Sequence, residues 1–289
     1  MEKKMLRPAE IAEEILTSYE AKANYSKAKS LTLGILAGAF IALGGFASAV
    51  ASHSISNYSL SKLVSGLVFP VGLILVILAG ADLFTGNVLL TVPLLHKKIN
   101  FKQVLKNWII VYFGNLLGAI IISLLLFYSG ALDANEGKLG AYVIKVAYTK
   151  SNISYMKALF SGILCNILVC LAVWTSFAAK DVIGKIFAIL FPIMAFVISG
   201  FEHSVANMYY FSIGLLAKTN SNYISTLNIT EDKLQSLNLQ GVIKNLIPVT
   251  LGNILGGFLF VGGALYLAFI YINNNKKEQI KSIPFKKNA

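Results

Sequence analysis

The chain has 289 residues, of which 56% are apolar, with a mean hydropathy of +0.69 and a formal charge of +12. That apolar share exceeds what a single soluble core of this length needs, so the composition points to a protein embedded in lipid. The positive charge does not mark a nucleic-acid binder, because the basic residues gather between apolar runs rather than along one stripe.

The first 29 residues are polar and lack the apolar core of a cleavable signal peptide. From Pro8 to Ala28, Ile11, Ile15, Leu16 and Tyr19 recur at helical spacing among Glu10, Glu13, Glu14 and Glu20, which predicts a short amphipathic helix. It reads as a solvated lead-in or, alternatively, as a lid beneath a pore. Six apolar runs then follow, near residues 30–52, 63–97, 104–130, 157–179, 183–217 and 243–272, each long enough to cross a hydrocarbon core of about 30 Å. The second and fifth are too long for one straight span, and each carries an acid in its middle, Asp82 and Glu202. Cys165 and Cys170 lie together in the fourth run and read as small apolar side chains rather than a disulfide or a metal site. Between the fifth and sixth runs, the polar stretch 220–239 reads as an extracytoplasmic loop and contains an Asn228-Ile229-Thr230 sequon. Residues 273–289 form a basic tail.

Sorting the 25 basic residues by this layout gives six before the first run, four between runs 2 and 3, two between runs 4 and 5 and five in the tail, against eight on the opposite side. The positive-inside rule therefore places both termini in the cytoplasm, as an even number of spans also requires.

Three landmarks repeat when the first three spans (about 30–130) are laid over the last three (about 157–272). Gly34-Ile35-Leu36-Ala37 matches Gly162-Ile163-Leu164-Cys165, and Gly114-Asn115-Leu116-Leu117-Gly118 matches Gly252-Asn253-Ile254-Leu255-Gly256. Gly80-Ala81-Asp82-Leu83-Phe84-Thr85-Gly86-Asn87 matches Gly200-Phe201-Glu202-His203-Ser204-Val205-Ala206-Asn207 as glycine, any residue, acid, four residues, asparagine. A unit with three spans inserts its second copy upside down, so the expected fold is all-α, with two inverted three-helix repeats whose acid-bearing strings meet near the midplane. Glycine, carboxylate and asparagine within an apolar helix describe a break whose freed backbone groups need partners. Inward-facing half-helix N-termini there suit an anion. Gly80 and Gly200 open the breaks, and Asp82 and Glu202 are expected to cap them by accepting backbone N–H bonds rather than to touch solute. His203, at membrane depth beside a break, is expected to hydrogen-bond an anion or exchange a proton with it. The small-xxx-small pairs Gly34/Gly38, Gly114/Gly118 and Gly252/Gly256 are read as helix-packing positions, with Asn115 and Asn253 hydrogen-bonding in the same interfaces.

These residues resemble the formate/nitrite transporter family, whose members include formate, nitrite and hydrosulfide channels, over nearly the whole chain. The resemblance rests on the run Ile77 to Gly86 (ILAGADLFTG), on Gly162 to Ala172 (GILCNILVCLA) and on the Phe201 to Met208 stretch (FEHSVANM). It implies an aquaporin-like protomer, a homopentamer with one pore per protomer, and a bacterial inner-membrane location. It further implies that His203 is the pore histidine and that Leu83, Phe84 and Thr85 are presented by the broken second span, with Thr85 facing His203 between two apolar slits. Phe69, Leu73 and Phe196 fall at further slit positions, and Asn166 and Asn207 at polar pore positions. Lys150 falls at a vestibule lysine that attracts the anion.

The expected solute is a small monovalent anion, formate first, with nitrite, hydrosulfide or a short monocarboxylate as alternatives. An apolar slit opposes a bare anion by an idealised Born cost of about 20 kcal/mol. That cost largely disappears for a neutral acid, so proton coupling through His203 is one expectation and a plain channel with His203 as hydrogen-bond donor the other. A water or glycerol facilitator shares the architecture, but neither half has an Asn-Pro-Ala string. His53 and His96 lie at span ends, away from His203, so no metal site is expected, and no phosphate-cradling loop suggests a pump. No cofactor is expected.

Overall fold

A proline at its first turn and the Glu10 carboxylate, which accepts from both the backbone N–H and the guanidinium of Arg7, start helix α1, Pro8–Ala23. In this computed structural model residues 5–227 and 229–273 are described; Asn228 of the expected sequon and the tail beyond Asn273 lie outside them. The amphipathic pattern folds as a helix, which stops at Ala23 rather than at the expected Ala28, with Ile11, Ile15 and Tyr19 buried, and Leu16 half-buried.

Among the described residues, six helices are long and apolar enough to cross a membrane. Span 1 is α2, Lys27–Ser52, capped by the Ser26 hydroxyl. Span 2 is built of α3, Tyr58–Val68, and α4, Val71–Leu78, joined at Pro70; it begins five residues before the apolar run suggested, because Asn57 caps it. The chain then leaves helical geometry, resumes as a 3₁₀ turn, Gly86–Leu90, and ends in α5, Thr91–Leu95. Span 3 is α6, Phe101–Tyr128, opened by a capping box of Asn100 and Gln103. Next comes a helix that the sequence reading passed over, α7, Lys138–Ser151. Span 4 is α8, Tyr155–Ser176. Span 5 is α9, Val182–Ser199, followed after a break by α10, Ser204–Ala217. The polar loop holds two short helices, α11, Ser221–Ser225, and α12, Glu231–Leu234. Span 6 starts as α13, Leu239–Leu255, and continues to Tyr271 with π-helical turns at Gly256–Gly263 and Leu267–Tyr271.

Packing is alike in the two halves of the chain. Spans 1 and 3 pair closely, as do spans 4 and 6. A Cβ on Gly38 would meet the Asn115 carbonyl, and one on Gly252 the Leu159 carbonyl, so glycine is what lets these backbones touch. The second half of each broken span crosses to the other repeat: α10 lies on α6, and the Gly86–Leu90 turn with α5 lies on span 6. Leu105, Ile109, Phe113, Leu117, Ile121 and Leu125 form an exposed apolar face along α6, the reverse of a water-soluble helix.

Candidate functional site

The breaks begin at glycines in left-handed geometry, Gly80 with φ 73° and Gly200 with φ 70°, which any side chain would strain. From there the two breaks use the same bonds. Ala81 N–H donates to Val76 O and Phe201 N–H to Phe196 O; Asn87 N–H donates to Leu83 O and Asn207 N–H to His203 O.

The expectation that Asp82 and Glu202 cap these breaks is corrected by the structure: asparagines from the third span of each repeat do so. Asn115 Oδ1 accepts from Phe84 N–H at 2.9 Å, while its Nδ2 donates to Asp82 O (3.0 Å) and Gly34 O (2.7 Å). Asn253 Oδ1 accepts from Ser204 N–H at 2.9 Å, and its Nδ2 donates to Glu202 O (3.0 Å) and Gly162 O (2.8 Å). The physical reason is that a break exposes both a donor and an acceptor, and an amide satisfies both where a carboxylate is acceptor-only.

The carboxylates instead hold ammonium groups. Lys22 Nζ, at the end of α1, donates to Asp82 Oδ1 at 2.7 Å; Lys150 Nζ, at the end of α7, donates to Glu202 Oε1 at 2.8 Å. An asparagine pair completes each cluster, Asn87 with Asn107 (2.9 Å) and Asn207 with Asn245 (2.8 Å). Asn207 Nδ2 also donates to Glu202 Oε2 at 2.6 Å. Lys22, Asn107 and Asn245 escaped the sequence reading, yet the repeat register contains them: Lys22 and Lys150 each precede the matched Gly34 and Gly162 by twelve residues, and Asn107 and Asn245 precede Asn115 and Asn253 by eight.

The repeat symmetry fails at one informative place. His203 occupies in the second break the position that Leu83 holds in the first. Its ring is buried, with Nε2 2.8 Å from Thr85 Oγ1, so the two breaks touch through this pair. His203 is also the N-cap of α10, its Nδ1 accepting from Ala206 N–H at 3.0 Å. A nitrogen that accepts carries no proton, so the network assigns the neutral Nε2–H tautomer, which donates to Thr85 and leaves the Thr85 hydroxyl proton free to donate onward. The Thr85 carbonyl is held from the other side by Asn166 Nδ2 (3.2 Å) and Cys170 Sγ (3.4 Å).

Aromatic side chains enclose this pair. Phe196 stacks on His203 with ring centroids 5.9 Å apart and meets Phe69 edge-on at 5.5 Å. Phe69, Leu73, Leu83 and Phe196 are all buried. Phe84, expected at the pore, packs its ring against Tyr112 (4.9 Å) and Trp108 (6.1 Å) of α6. Above the Phe69–Phe196 contact opens a cavity of about 540 Å³ that reaches His203 and includes Lys62, Lys145, Lys150 and Glu202 in its walls. Asn166 Oδ1 and Asn207 Oδ1 are buried without a protein partner, so both remain acceptors for water or solute. On the opposite side α1 covers the first break: Tyr19 OH donates to Gly86 O at 3.0 Å, and Leu6 N–H donates to Ala178 O beyond span 4. Among the described residues, no group of three or more His, Cys, Asp or Glu is placed to hold a metal ion.

Comparison with known proteins gives the same answer as this geometry. Residues 9–267 match the protein family described as Formate/nitrite transporter. The chain is 36% identical over 276 residues to the formate channel FocA of Escherichia coli K12, covering 94% of this chain and 97% of that one. It is 40% identical over 278 residues to the uncharacterized transporter YrhG of Bacillus subtilis 168, covering 94% and 97%. A solved structure described as a pentameric formate channel with formate bound superposes with a TM-score of 0.78 at 36% identity, covering 84% of this chain and 98% of that one. On the fold, the paired breaks and these matches, the chain belongs to the formate/nitrite transporter family.

Proposed function

We propose that the protein is a channel for a small monovalent anion, formate first, assembled as a homopentamer in a plasma membrane with both termini cytoplasmic. The two three-span units run in opposite senses, and each protomer carries its own pore. The similarity to formate channels supports the solute and the pentamer. The observation that carries the mechanism is the His203–Thr85 hydrogen bond, buried next to the Phe69–Phe196 contact. An anion concentrated in the lysine-bearing cavity faces an apolar constriction that a neutral acid crosses at far lower cost. With the His203 N–H engaged by Thr85, the Thr85 hydroxyl presents the free donor at that point, with Leu83, Leu73 and the two phenylalanines excluding water around the pair, and Asn166 and Asn207 offering acceptors. In this reading a proton joins the anion at His203, so uptake rises as the external pH falls.

The N-cap bond at Nδ1 favours a second reading. Because protonating Nδ1 would release the start of α10, His203 donates a hydrogen bond without supplying the proton, which arrives with the solute from water. The lysine–carboxylate pairs and Gly80 and Gly200 then shape the breaks in either case.

His203→Asn separates the two readings, since asparagine still caps a helix but is too short to reach Thr85. Formate flux and internal pH are followed together in proteoliposomes across a range of external pH. Loss of both formate and proton movement in the variant supports proton handling at His203. Formate still moving with a proton supports the second reading. Absence of wild-type flux for formate, nitrite and hydrosulfide alike contradicts the channel.

A further inference from the structure

The cavity above the constriction holds an ammonium that, among the described residues, makes no ion pair with the protein. Lys150 is committed to Glu202, which is the cavity's one carboxylate among the described residues, so that pair presents little net charge. Lys145 is exposed, where salt screens it. Lys62 is half-buried and, among the described residues, has neither a hydrogen bond nor an ion pair with the protein; its Nζ lies 5.7 Å from the centre of the Tyr58 ring.

Helix α3 places it. Tyr58, Lys62, Ser65 and Phe69 recur at helical spacing and all face the cavity, so one helix face runs from the exposed Tyr58 to the constriction. Lys62 stands seven residues from Phe69, about 10 Å along the axis. A Cβ on Gly66 would sit 2.7 Å from Ile198 Cγ1, so this glycine lets α3 lie close against α9. The approach brings the Lys62 ammonium beside the turn at Gly200, where a Cβ would lie 3.7 Å from Nζ.

An anion leaving bulk water for this cavity loses hydration, and a cation free of its own ion pair offsets that loss most directly. We propose that Lys62 is the anion-receiving group of this vestibule, a loading site for a small monovalent anion ahead of the Phe69–Phe196 constriction, while Lys150 serves as the fixed half of a neutral pair. The proposal rests on the anion-channel reading and adds the residue that captures the solute.

The test is formate uptake into proteoliposomes as a function of concentration, at low and at physiological ionic strength, with Lys62→Gln and Lys62→Arg beside the wild type. Lys62→Gln is expected to raise the half-saturating concentration about five- to tenfold, leave the saturated rate within about twofold and flatten the salt dependence. Lys62→Arg is expected to retain wild-type values. Charge sign is read within one folded protein by Lys62→Cys: modification with an ammonium-bearing thiol reagent is expected to lower the half-saturating concentration, and a sulfonate-bearing one to raise it. Cys165 and Cys170 are fully buried and do not compete for the reagent. Half-saturation and salt dependence unchanged in Lys62→Gln, or equal effects of the two reagents, overturn the proposal while wild-type flux leaves the channel standing. A wild type that carries no anion overturns both.

Discussion

Replacing Asn253 by leucine tests the account of the breaks most sharply, because leucine keeps asparagine's branching at Cγ and its count of side-chain heavy atoms while removing every polar contact. Three bonds vanish, of 2.9, 2.8 and 3.0 Å. Gly162 lies inside α8 and its carbonyl keeps a helical partner, but Ser204 N–H and Glu202 C=O lie at the break, where no helix supplies one. Orphaning a buried polar group costs about 1–3 kcal/mol, which gives about 4 kcal/mol for two. Interhelical bonds in membranes average nearer 0.6 kcal/mol, because most partners re-pair elsewhere. Here the left-handed turn at Gly200 and the cap at His203 fix the segment, so re-pairing is restricted and about 3 kcal/mol is the working figure. At about 2–4 °C per kcal/mol, the thermal midpoint of purified protein should fall by roughly 6–12 °C, with loss of flux as His203 moves off Thr85. Asn115→Leu should behave alike at the other break. A midpoint within about 1 °C of wild type, with flux retained, would refute the claim that asparagines hold the breaks.

Other consequences are equally direct. Glu202→Gln leaves the Lys150 ammonium without its counter-charge and turns an amide donor toward Asn207 and Asn245; a loss of about 3–5 kcal/mol is expected, partly restored by adding Lys150→Met, and a thermal double-mutant cycle measures the coupling. Gly38→Ala should prevent normal assembly of spans 1 and 3, because its Cβ meets a backbone carbonyl that cannot yield, whereas Gly86→Ala, whose nearest neighbour is Val173 Cγ2 at 3.5 Å, should be tolerated; monodispersity on gel filtration distinguishes them. Phe69→Ala removes one half of the edge-on ring contact and should admit larger carboxylates such as acetate or lactate while formate flux persists, as substrate-swelling assays would read; unchanged size selection would remove Phe69 from the constriction.

What the sequence disclosed depended on scale. Hydrophobic length and the two misplaced acids located the spans and both breaks, because lipid imposes those features on every residue of a run. The partners of the acids were harder to see. Lys22 and Lys150 sit at the ends of α1 and α7, where a lysine is unremarkable in composition, and α7 is too polar to stand out among apolar runs. Asn107 and Asn245 hydrogen-bond across helices, which local periodicity does not register. The error over Asp82 and Glu202 has a chemical origin: an acid beside a break suggests a cap, but each carboxylate faces a half-buried lysine, and the amide of the third span is the group that both accepts and donates. The site's asymmetry was present in the aligned repeats, where His203 stands against Leu83, but its meaning needed the contact with Thr85.

Uptake of labelled formate into proteoliposomes containing the purified protein, with nitrite, hydrosulfide and glycerol as competitors, bears on the central claim most directly. The account predicts saturable formate flux, reduced by the two anions, indifferent to glycerol, and lost together with proton movement in His203→Asn. Glycerol or water permeation without formate flux would contradict it and leave only the architecture in common with an anion channel.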